Sequence, residues 1–143
     1  MYTVYLAGEI HSNWREEIIT GCKDFDIKFL TPESDHASSD DIGKNVVGDQ
    51  NSNFYNDHVS AKINSMRSHT YIKQSDIVVV RFGEKYKQFN AAFDAGYAVA
   101  LDKKLIVIHP DEFIHALKEI DAAASAVVST QAQVVEVLRH LVR

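Results

Sequence analysis

The sequence predicts a single doubly wound α/β domain, and three observations support that prediction. Segments typical of strands and helices alternate along the 143 residues, which is the pattern of helices that cover both faces of a sheet. Residues 76–82 and 105–109 are continuous apolar runs, as found in parallel strands that are buried on both faces. Hydrophobic residues make up 45% of the chain, and its length is enough for one domain with a sizeable core.

The strands are predicted where short apolar runs end at turn residues. Residues 2–7 form the first strand, which stops at Gly8, and residues 27–30 form a second strand that Pro32 closes. The two apolar runs named above are the third and fourth strands, and residues 126–128 form a weak fifth one. Right-handed crossovers then place the loops after strands one and three at the switch point, where such sheets bind ligands.

Helices are predicted where apolar residues recur every three to four positions. The first covers residues 13–24, with Asn13 as its N-cap and Glu16 placed for a capping box. The other helical segments are residues 54–74, 89–101, 111–124 and 131–142. The apolar stripe of the longest segment consists of Tyr55, Val59, Ile63 and Met66.

The polar segment 33–53 breaks this alternation, since segments of this length without a periodic pattern are usually lids, binding loops or disordered. We expect it to cover the ligand cleft of its own or a neighbouring subunit. His36, Asp40 and Asp41 lie in it, but their spacing matches no established set of metal ligands. We therefore expect neither a metal nor another cofactor.

Composition narrows the classes of partner. A formal net charge of -5 argues against a broad surface for a nucleic acid polymer or an anionic membrane. No apolar run approaches the length of a membrane span, and the first residues lack the pattern of a signal peptide. The single Cys22 excludes an internal disulfide and fits a reducing compartment. We expect a cytoplasmic protein with a small-molecule ligand.

The most informative candidate is a carboxylate inside the apolar helix of residues 89–101. Only Asn90 and Asp94 are strongly polar there, and a spacing of four puts them on one face. Aspartates are rarely buried unless they are paired or used chemically, and this helix follows the third strand at the ligand-binding edge. We interpret Asp94 as a group that attacks an electrophilic carbon or stabilises a developing cation. The alternative is a buried aspartate that bonds the backbone or Tyr97.

The loop after the first strand supplies one set of candidate binding residues, which are Gly8, Glu9, Ile10, His11 and Arg15. Here the N–H groups that open the first helix, together with Arg15, could hold an anion. The alternative is an ordinary turn with a solvated arginine.

The loop after the third strand supplies the second set, which is Gly83, Tyr86 and Phe89. Gly83 would let a ligand approach the backbone closely. The two aromatic rings would stack on a flat base, or would simply pack against the protein.

Several segments resemble the nucleoside 2-deoxyribosyltransferases. The likeness lies in residues 5–8, YLAG, in residues 90–101, and in residues 74–80, which match that family's third-strand pattern. Residues 5–11 and 83–90 look like the YtoQ branch, and that likeness covers nearly the whole chain. The resemblance implies one deoxyribosyltransferase-like domain over residues 1–143, with a flavodoxin-like parallel sheet in the order 2-1-3-4-5.

The resemblance also implies a chemistry. Asp94 falls where the family has its nucleophilic glutamate, Tyr5 matches the tyrosine that orients it, and Asn90 would contact the substrate or Asp94. Asp76 matches an aspartate with a structural role at the start of the third strand. The implied reaction is cleavage or transfer at the N-glycosidic bond of a nucleoside or nucleotide. Oligomers complete the active site in the resembling enzymes, which implies at least a homodimer.

Departures from the family pattern leave other interpretations open. Asp94 is one methylene shorter than glutamate, which moves the carboxylate back by ~1.5 Å, and near-attack geometry tolerates little displacement. Ser68 stands where the family often has an aspartate that contacts the base, and residues 89–91 replace the usual Gly-Thr-Ala. The alternative functions are a non-catalytic nucleotide-binding module and a hydrolase of another small phosphorylated sugar.

A second likeness bears on the ligand. Gly8, Ile10 and Arg15 resemble the glycine–isoleucine–arginine pattern of the related deoxynucleotide hydrolases. This likeness favours a phosphorylated ligand, with the phosphate at the turn between Gly8 and Arg15.

Overall fold

The protein is described by a computed structural model that covers residues 1–32, 35–85 and 88–143. Within these residues the chain forms a five-stranded, all-parallel sheet in the order β2-β1-β3-β4-β5. The strands are β1 (Tyr2–Gly8), β2 (Ile27–Leu30), β3 (Ile77–Arg81), β4 (Lys104–Ile108) and β5 (Ala126–Val128). The predicted fold class and strand order are therefore confirmed.

Helices cover both faces of the sheet. In the described ranges they are α1 (Trp14–Gly21), α2 (His36–Asp40), α3 (Ile42–Val47), α4 (Asn53–Gln74), α5 (Phe89–Ala100), α6 (Lys118–Ala123) and α7 (Gln131–Leu141). Helices α1 and α7 pack on one face of the sheet, and α4, α5 and α6 pack on the other. None of these helices is both long enough and apolar enough to cross a membrane.

Alternation along the strands divides the core between these two faces. Val4, Leu6, Ile77 and Val79 point towards α1 and α7. Tyr5 points the other way, towards α4 and α5, and is 1% exposed. This orientation brings the ring of Tyr5 to the same side of the sheet as the Asp94 helix.

Two predicted helices differ in their ends. Helix α1 is shorter than predicted, and Asn13 makes no side-chain capping hydrogen bond, so the predicted capping box is wrong. The predicted helix over residues 111–124 is divided into a 3₁₀ turn, Asp111–Phe113, and α6. A capping box does occur at α7, where Thr130 Oγ1 accepts from the N–H of Gln133 at 3.2 Å.

The segment predicted as a long loop contains two short helices, α2 and α3, in its described part. Ser60 of α4 holds them, because its hydroxyl donates to the carbonyl of Asp40 at 2.7 Å and accepts from the N–H of Gly43 at 2.9 Å. Asn64 adds a bond from its side-chain amide to the carbonyl of Ser39 at 2.9 Å. Such short helices depend on tertiary contacts rather than on their own propensity, so the local pattern does not predict them.

Candidate functional site

A cavity of about 870 Å³ opens at the carboxyl edge of the sheet, at the switch point between β1 and β3. Its volume is within the range of ordinary small-molecule sites. The described residues that line it come from β1 and the following loop, from α2, from one face of α4 and from the start of α5. They are Tyr5, Gly8, Glu9, Ile10, His11, Pro32, Ser39, Asp40, Asp57, Ser60, Ala61, Asn64, Arg67, Ser68, Gln88, Phe89, Asn90, Ala91 and Asp94.

The structure brings together most of the residues predicted as a site. Those that line the cavity are Tyr5, Gly8, Glu9, Ile10, His11, Phe89, Asn90 and Asp94. Arg15 and Gly83 are described but do not line it, and Tyr86 lies outside the described residues. The segment 33–53 is predicted to cover the cleft, and two of its described residues, Ser39 and Asp40, belong to the cavity wall.

Asp94 is a half-buried carboxylate in this wall. Burial raises the pKa of Asp94 to about 6. No residue in the described part of the chain donates a hydrogen bond to it. Such a group is largely ionised at neutral pH and keeps its lone pairs available, which suits a nucleophile or a general base.

Tyr5 lies close enough to Asp94 for the two side chains to interact electrostatically. Burial raises the pKa of Tyr5 to about 12, although a hydrogen bond to Ser68 opposes the rise. The Tyr5 hydroxyl lies 3.5 Å from Ser68 Oγ, and its ring packs edge-on against Tyr71 at 5.8 Å. The phenol is therefore neutral, and its hydroxyl donates to Ser68 in the wall of the cavity.

Arg15, which the sequence predicts as an anion ligand, does not line the cavity. Its guanidinium donates to the backbone carbonyls of Leu6 at 2.9 Å, Glu9 at 2.8 Å and Gly8 at 3.1 Å. The side chain is 4% exposed, and burial lowers the pKa of Arg15 to about 10. Arg15 therefore fixes the shape of the loop that follows β1, and its charge is directed to the chain itself.

Glu9 forms the second buried contact of this loop. Its carboxylate accepts from the N–H of His11, from Ser12 Oγ at 2.6 Å and from Arg81 Nη1 at 2.8 Å. Burial alone would raise the pKa of Glu9, but the hydrogen bonds from Ser12 and His11 and the charge of Arg81 lower it below its usual value. Glu9 is therefore an ionised group that forms part of the cavity wall.

Gly83, which the sequence predicts to admit a ligand, packs closely against this ion pair and does not line the cavity. A Cβ at Gly83 would lie 2.8 Å from Cγ of Glu9 and 2.9 Å from Nη1 of Arg81. Only a glycine leaves enough space at this position.

Of the residues that α4 contributes to the cavity, the sequence analysis singled out only Ser68, as a departure from the family pattern. Asp57, Asn64, Arg67 and Ser68 recur at helical spacing and line the cavity over three turns. Tyr55 and Met66 of the predicted apolar stripe are 57% and 66% exposed. The polar residues at helical spacing on α4 were the feature of the sequence that could have indicated this face of the site. The apolar stripe was a poor guide, because a helix beside a ligand site need not bury it.

The described residues were also compared with the requirements of a metal site. Groups of three or more potential metal ligands are absent from the described ranges, and the side chain of His36 lies outside them.

Comparison with known proteins gives a family and a fold. Residues 5–142 match the family described as nucleoside 2-deoxyribosyltransferase YtoQ. The protein YtoQ of Bacillus subtilis (strain 168) is 43% identical over 142 residues, which cover 98% of this chain and 96% of that protein.

Three solved structures share the fold at low sequence identity. A conserved protein from Enterococcus faecalis has a TM-score of 0.64 at 16% identity, with 99% of each chain covered. The CMP N-glycosidase BcmB of Clostridium botulinum has a TM-score of 0.59 at 12% identity, with 96% of this chain and 98% of that chain covered. A 2-deoxyribosyltransferase from Bacillus psychrosaccharolyticus has a TM-score of 0.58 at 17% identity, with 92% of this chain and 89% of that chain covered.

These identities are too low to show more than the fold, but the match to the family extends over nearly the whole chain. The match to the family model supports a place in the nucleoside 2-deoxyribosyltransferase superfamily. This chain belongs to the YtoQ family of nucleoside 2-deoxyribosyltransferase-like proteins.

Proposed function

We propose that the protein cleaves or transfers at the N-glycosidic bond of a nucleoside or nucleotide, with Asp94 as the nucleophile. The observation that carries the proposal is the half-buried Asp94 carboxylate, which lies beside Tyr5 in the wall of the cavity at the switch point. A carboxylate without a described hydrogen-bond donor is free to attack an electrophilic carbon.

In the proposed first step, an Asp94 oxygen forms a bond to the anomeric carbon of the sugar. The bond between that carbon and the base nitrogen breaks, and its electron pair leaves with the base, which takes up a proton from solvent. A second base then displaces Asp94 in a transfer, or water displaces it in a hydrolysis. Tyr5 lies within electrostatic range of the carboxylate and would orient it once its hydroxyl turns from Ser68 to Asp94.

Two further residues of α5 are assigned to the substrate. Phe89 is 74% exposed and lines the cavity, so its ring offers a face on which a base can stack. Asn90 lies next to it in the wall and would contact the sugar or Asp94. The shorter side chain of Asp94, compared with glutamate, requires the sugar to sit closer to α5.

The decisive experiment incubates the full chain with deoxynucleosides, ribonucleosides and their 5′-monophosphates and measures free base by chromatography. We expect release from at least one compound, and a loss of release of at least ~100-fold in Asp94→Asn. Asp24→Asn, an exposed aspartate that follows α1, is the control and should keep the wild-type rate. An Asp94→Asn variant that retains most of the activity would show that another group is the nucleophile.

The rival function is a non-catalytic binding module on the same fold. Ser68 favours it, because this residue bonds Tyr5 where many family members place a carboxylate against the base. Ligand binding by the wild-type protein without release of base from any member of the panel would support this alternative.

We also propose that the protein forms a homo-oligomer. Met66, Phe89 and Phe93 are 66%, 74% and 62% exposed on the α4 and α5 surface beside the cavity, and adjacent exposed apolar side chains favour an interface. Light scattering of the wild-type protein should give at least a dimer, and Phe93→Asp should shift it towards a monomer. A wild-type monomer at working concentration would contradict the proposal.

A further inference from the structure

We propose that the cavity accepts an uncharged nucleoside and discriminates against its 5′-monophosphate, because the carboxylate of Glu9 already occupies the anion position of the loop after β1. This inference rests on the proposed function and names its substrate class. It reverses the sequence-based expectation of a phosphate between Gly8 and Arg15.

The loop after β1 and the end of β3 together have the groups that an external anion would use, but these groups already bind Glu9. The N–H of His11, the hydroxyl of Ser12 and the guanidinium of Arg81 all donate to the Glu9 carboxylate. Donors of these types, a backbone N–H, a hydroxyl and an arginine, commonly bind phosphate oxygens. A phosphate would have to displace a buried carboxylate that belongs to the chain.

That displacement is unfavourable because Glu9 is held from several sides. Its side chain is 3% exposed, and it pairs with Arg81 at 2.8 Å. The backbone at Gly83 packs against both side chains so closely that an added Cβ would lie within 3 Å of each. Glu9 therefore has little room to turn away from an incoming ligand.

The other cation of the loop does not compensate. Arg15 directs three hydrogen bonds to carbonyls of residues 6, 8 and 9, so its charge is not presented to the cavity. A phosphate at this turn would face the Glu9 carboxylate without a second arginine to offset it.

The charges of the whole wall point the same way. Glu9 is paired with Arg81, and the other described acidic residues of the wall are Asp40, Asp57 and Asp94, against the basic side chains of Arg67 and His11. A phosphate monoester carries a charge of about -1.5 to -2 at neutral pH, so it is repelled by this excess of carboxylates.

A neutral sugar fits the same place better. A carboxylate has about four positions at which it can accept hydrogen bonds, and three of those on Glu9 are already used. The remaining position can accept from a sugar hydroxyl, whereas a phosphate dianion has no hydrogen to donate.

The test is a set of titrations with matched pairs of deoxynucleoside and 5′-monophosphate, and with inorganic phosphate alone. The proteins are wild type, Glu9→Gln and the control Glu17→Gln, which removes an exposed charge from α1. We expect wild type to bind a nucleoside at least ~10-fold more tightly than its monophosphate, and Glu9→Gln to shift that ratio at least ~10-fold towards the monophosphate. Glu17→Gln should keep the wild-type ratio.

A second measurement does not depend on the folding of any variant. Raising NaCl from about 50 mM to about 500 mM should narrow the preference of the wild-type protein, because salt screens the repulsion between the phosphate and the cavity wall. A preference that does not change with salt would contradict an electrostatic cause.

The outcomes separate this inference from the proposed function. A nucleoside preference without release of base would support the inference and reject catalysis. Release of base mainly from monophosphates would support catalysis and overturn the inference, as would an unchanged ratio in a folded Glu9→Gln protein. Failure of both ligand types to bind up to about 10 mM, without release of base, would overturn both.

Discussion

Gly8 and Arg81 lie opposite each other in the register of β1 and β3, and their backbones approach too closely for a side chain between them. A Cβ at Gly8 would lie 2.3 Å from the carbonyl oxygen of Arg81. That same oxygen accepts a hydrogen bond from the N–H of Glu9 at 3.1 Å. The contact fixes where β1 ends and where the Glu9 carboxylate begins to form the cavity wall.

Gly8→Ala should therefore lower the free energy of unfolding by at least about 2 kcal/mol, measured by denaturant titration. Two causes act together: the steric contact with Arg81, and a φ of +107°, which favours glycine.

Gly96→Ala is the matched control for this substitution. It lies in α5, where a Cβ would meet no atom within 4 Å. Alanine is the better helix former, so this variant should gain about 0.5–1 kcal/mol. Equal effects of the two variants would contradict the close-approach argument.

Asp94→Asn should stabilise the protein at neutral pH. Burial raises the pKa of Asp94 to about 6 from 3.8, so the folded state favours the protonated form. The free energy of unfolding that this group contributes therefore falls as pH rises from about 4 to about 6 and stays low above that. We expect Asp94→Asn to gain about 1–2 kcal/mol at pH ~7.5 after allowance for solvent access, and to gain little at pH ~4.

The control for this pH dependence is again Asp24→Asn, because Asp24 is exposed. Thermal or denaturant unfolding of both variants across this pH range gives the comparison. A gain of stability by Asp94→Asn that is the same at both pH values would show that the ionised carboxylate is not the cause.

The same ionisation should control the rate of base release. If Asp94 attacks as a carboxylate, kcat/KM should rise with pH through an apparent pKa of about 6 and then level off. Asp94→Glu should retain part of the activity, because it supplies the same group from a different reach. A rate that falls as pH rises through 6 would be incompatible with attack by ionised Asp94.

The sequence predicted the central sheet well, because its signals are local. The apolar runs of β3 and β4, the turn at Gly8 and the alternation with helices each follow from residues that are close in the chain. The position of Asp94 in the cavity wall could also be predicted, because a single carboxylate within an apolar helical segment is recognisable from the local sequence alone.

The parts that the sequence did not predict depend on distant partners. The pairing of Glu9 with Arg81 joins residues 72 positions apart, and Ser60 reaches 17 and 20 positions back to hold α3 and α2. Nothing local distinguishes an arginine that binds a phosphate from one that binds carbonyls. For this reason the local sequence predicts Arg15 as an anion-binding residue and Gly83 as a position where a ligand approaches the backbone.

Arg15 and Arg67 supply the final prediction, because one is a buried arginine beside the loop after β1 and the other is an exposed arginine in the cavity wall. Arg15→Ala leaves three carbonyls without their donor and removes a stacking contact at 4.6 Å on Trp14, so it should lower stability by about 2–4 kcal/mol. It should weaken the binding of a nucleoside and of its monophosphate by similar factors, because it acts through the shape of the loop. Arg67→Ala should change stability by less than about 0.5 kcal/mol, since this exposed side chain forms no hydrogen bond or ion pair with the described residues, and should weaken only the residual binding of the monophosphate. Calorimetric titration of both variants with the nucleoside and with its monophosphate checks these binding predictions. A selective loss of monophosphate binding in Arg15→Ala would indicate that the phosphate does bind at the loop after β1.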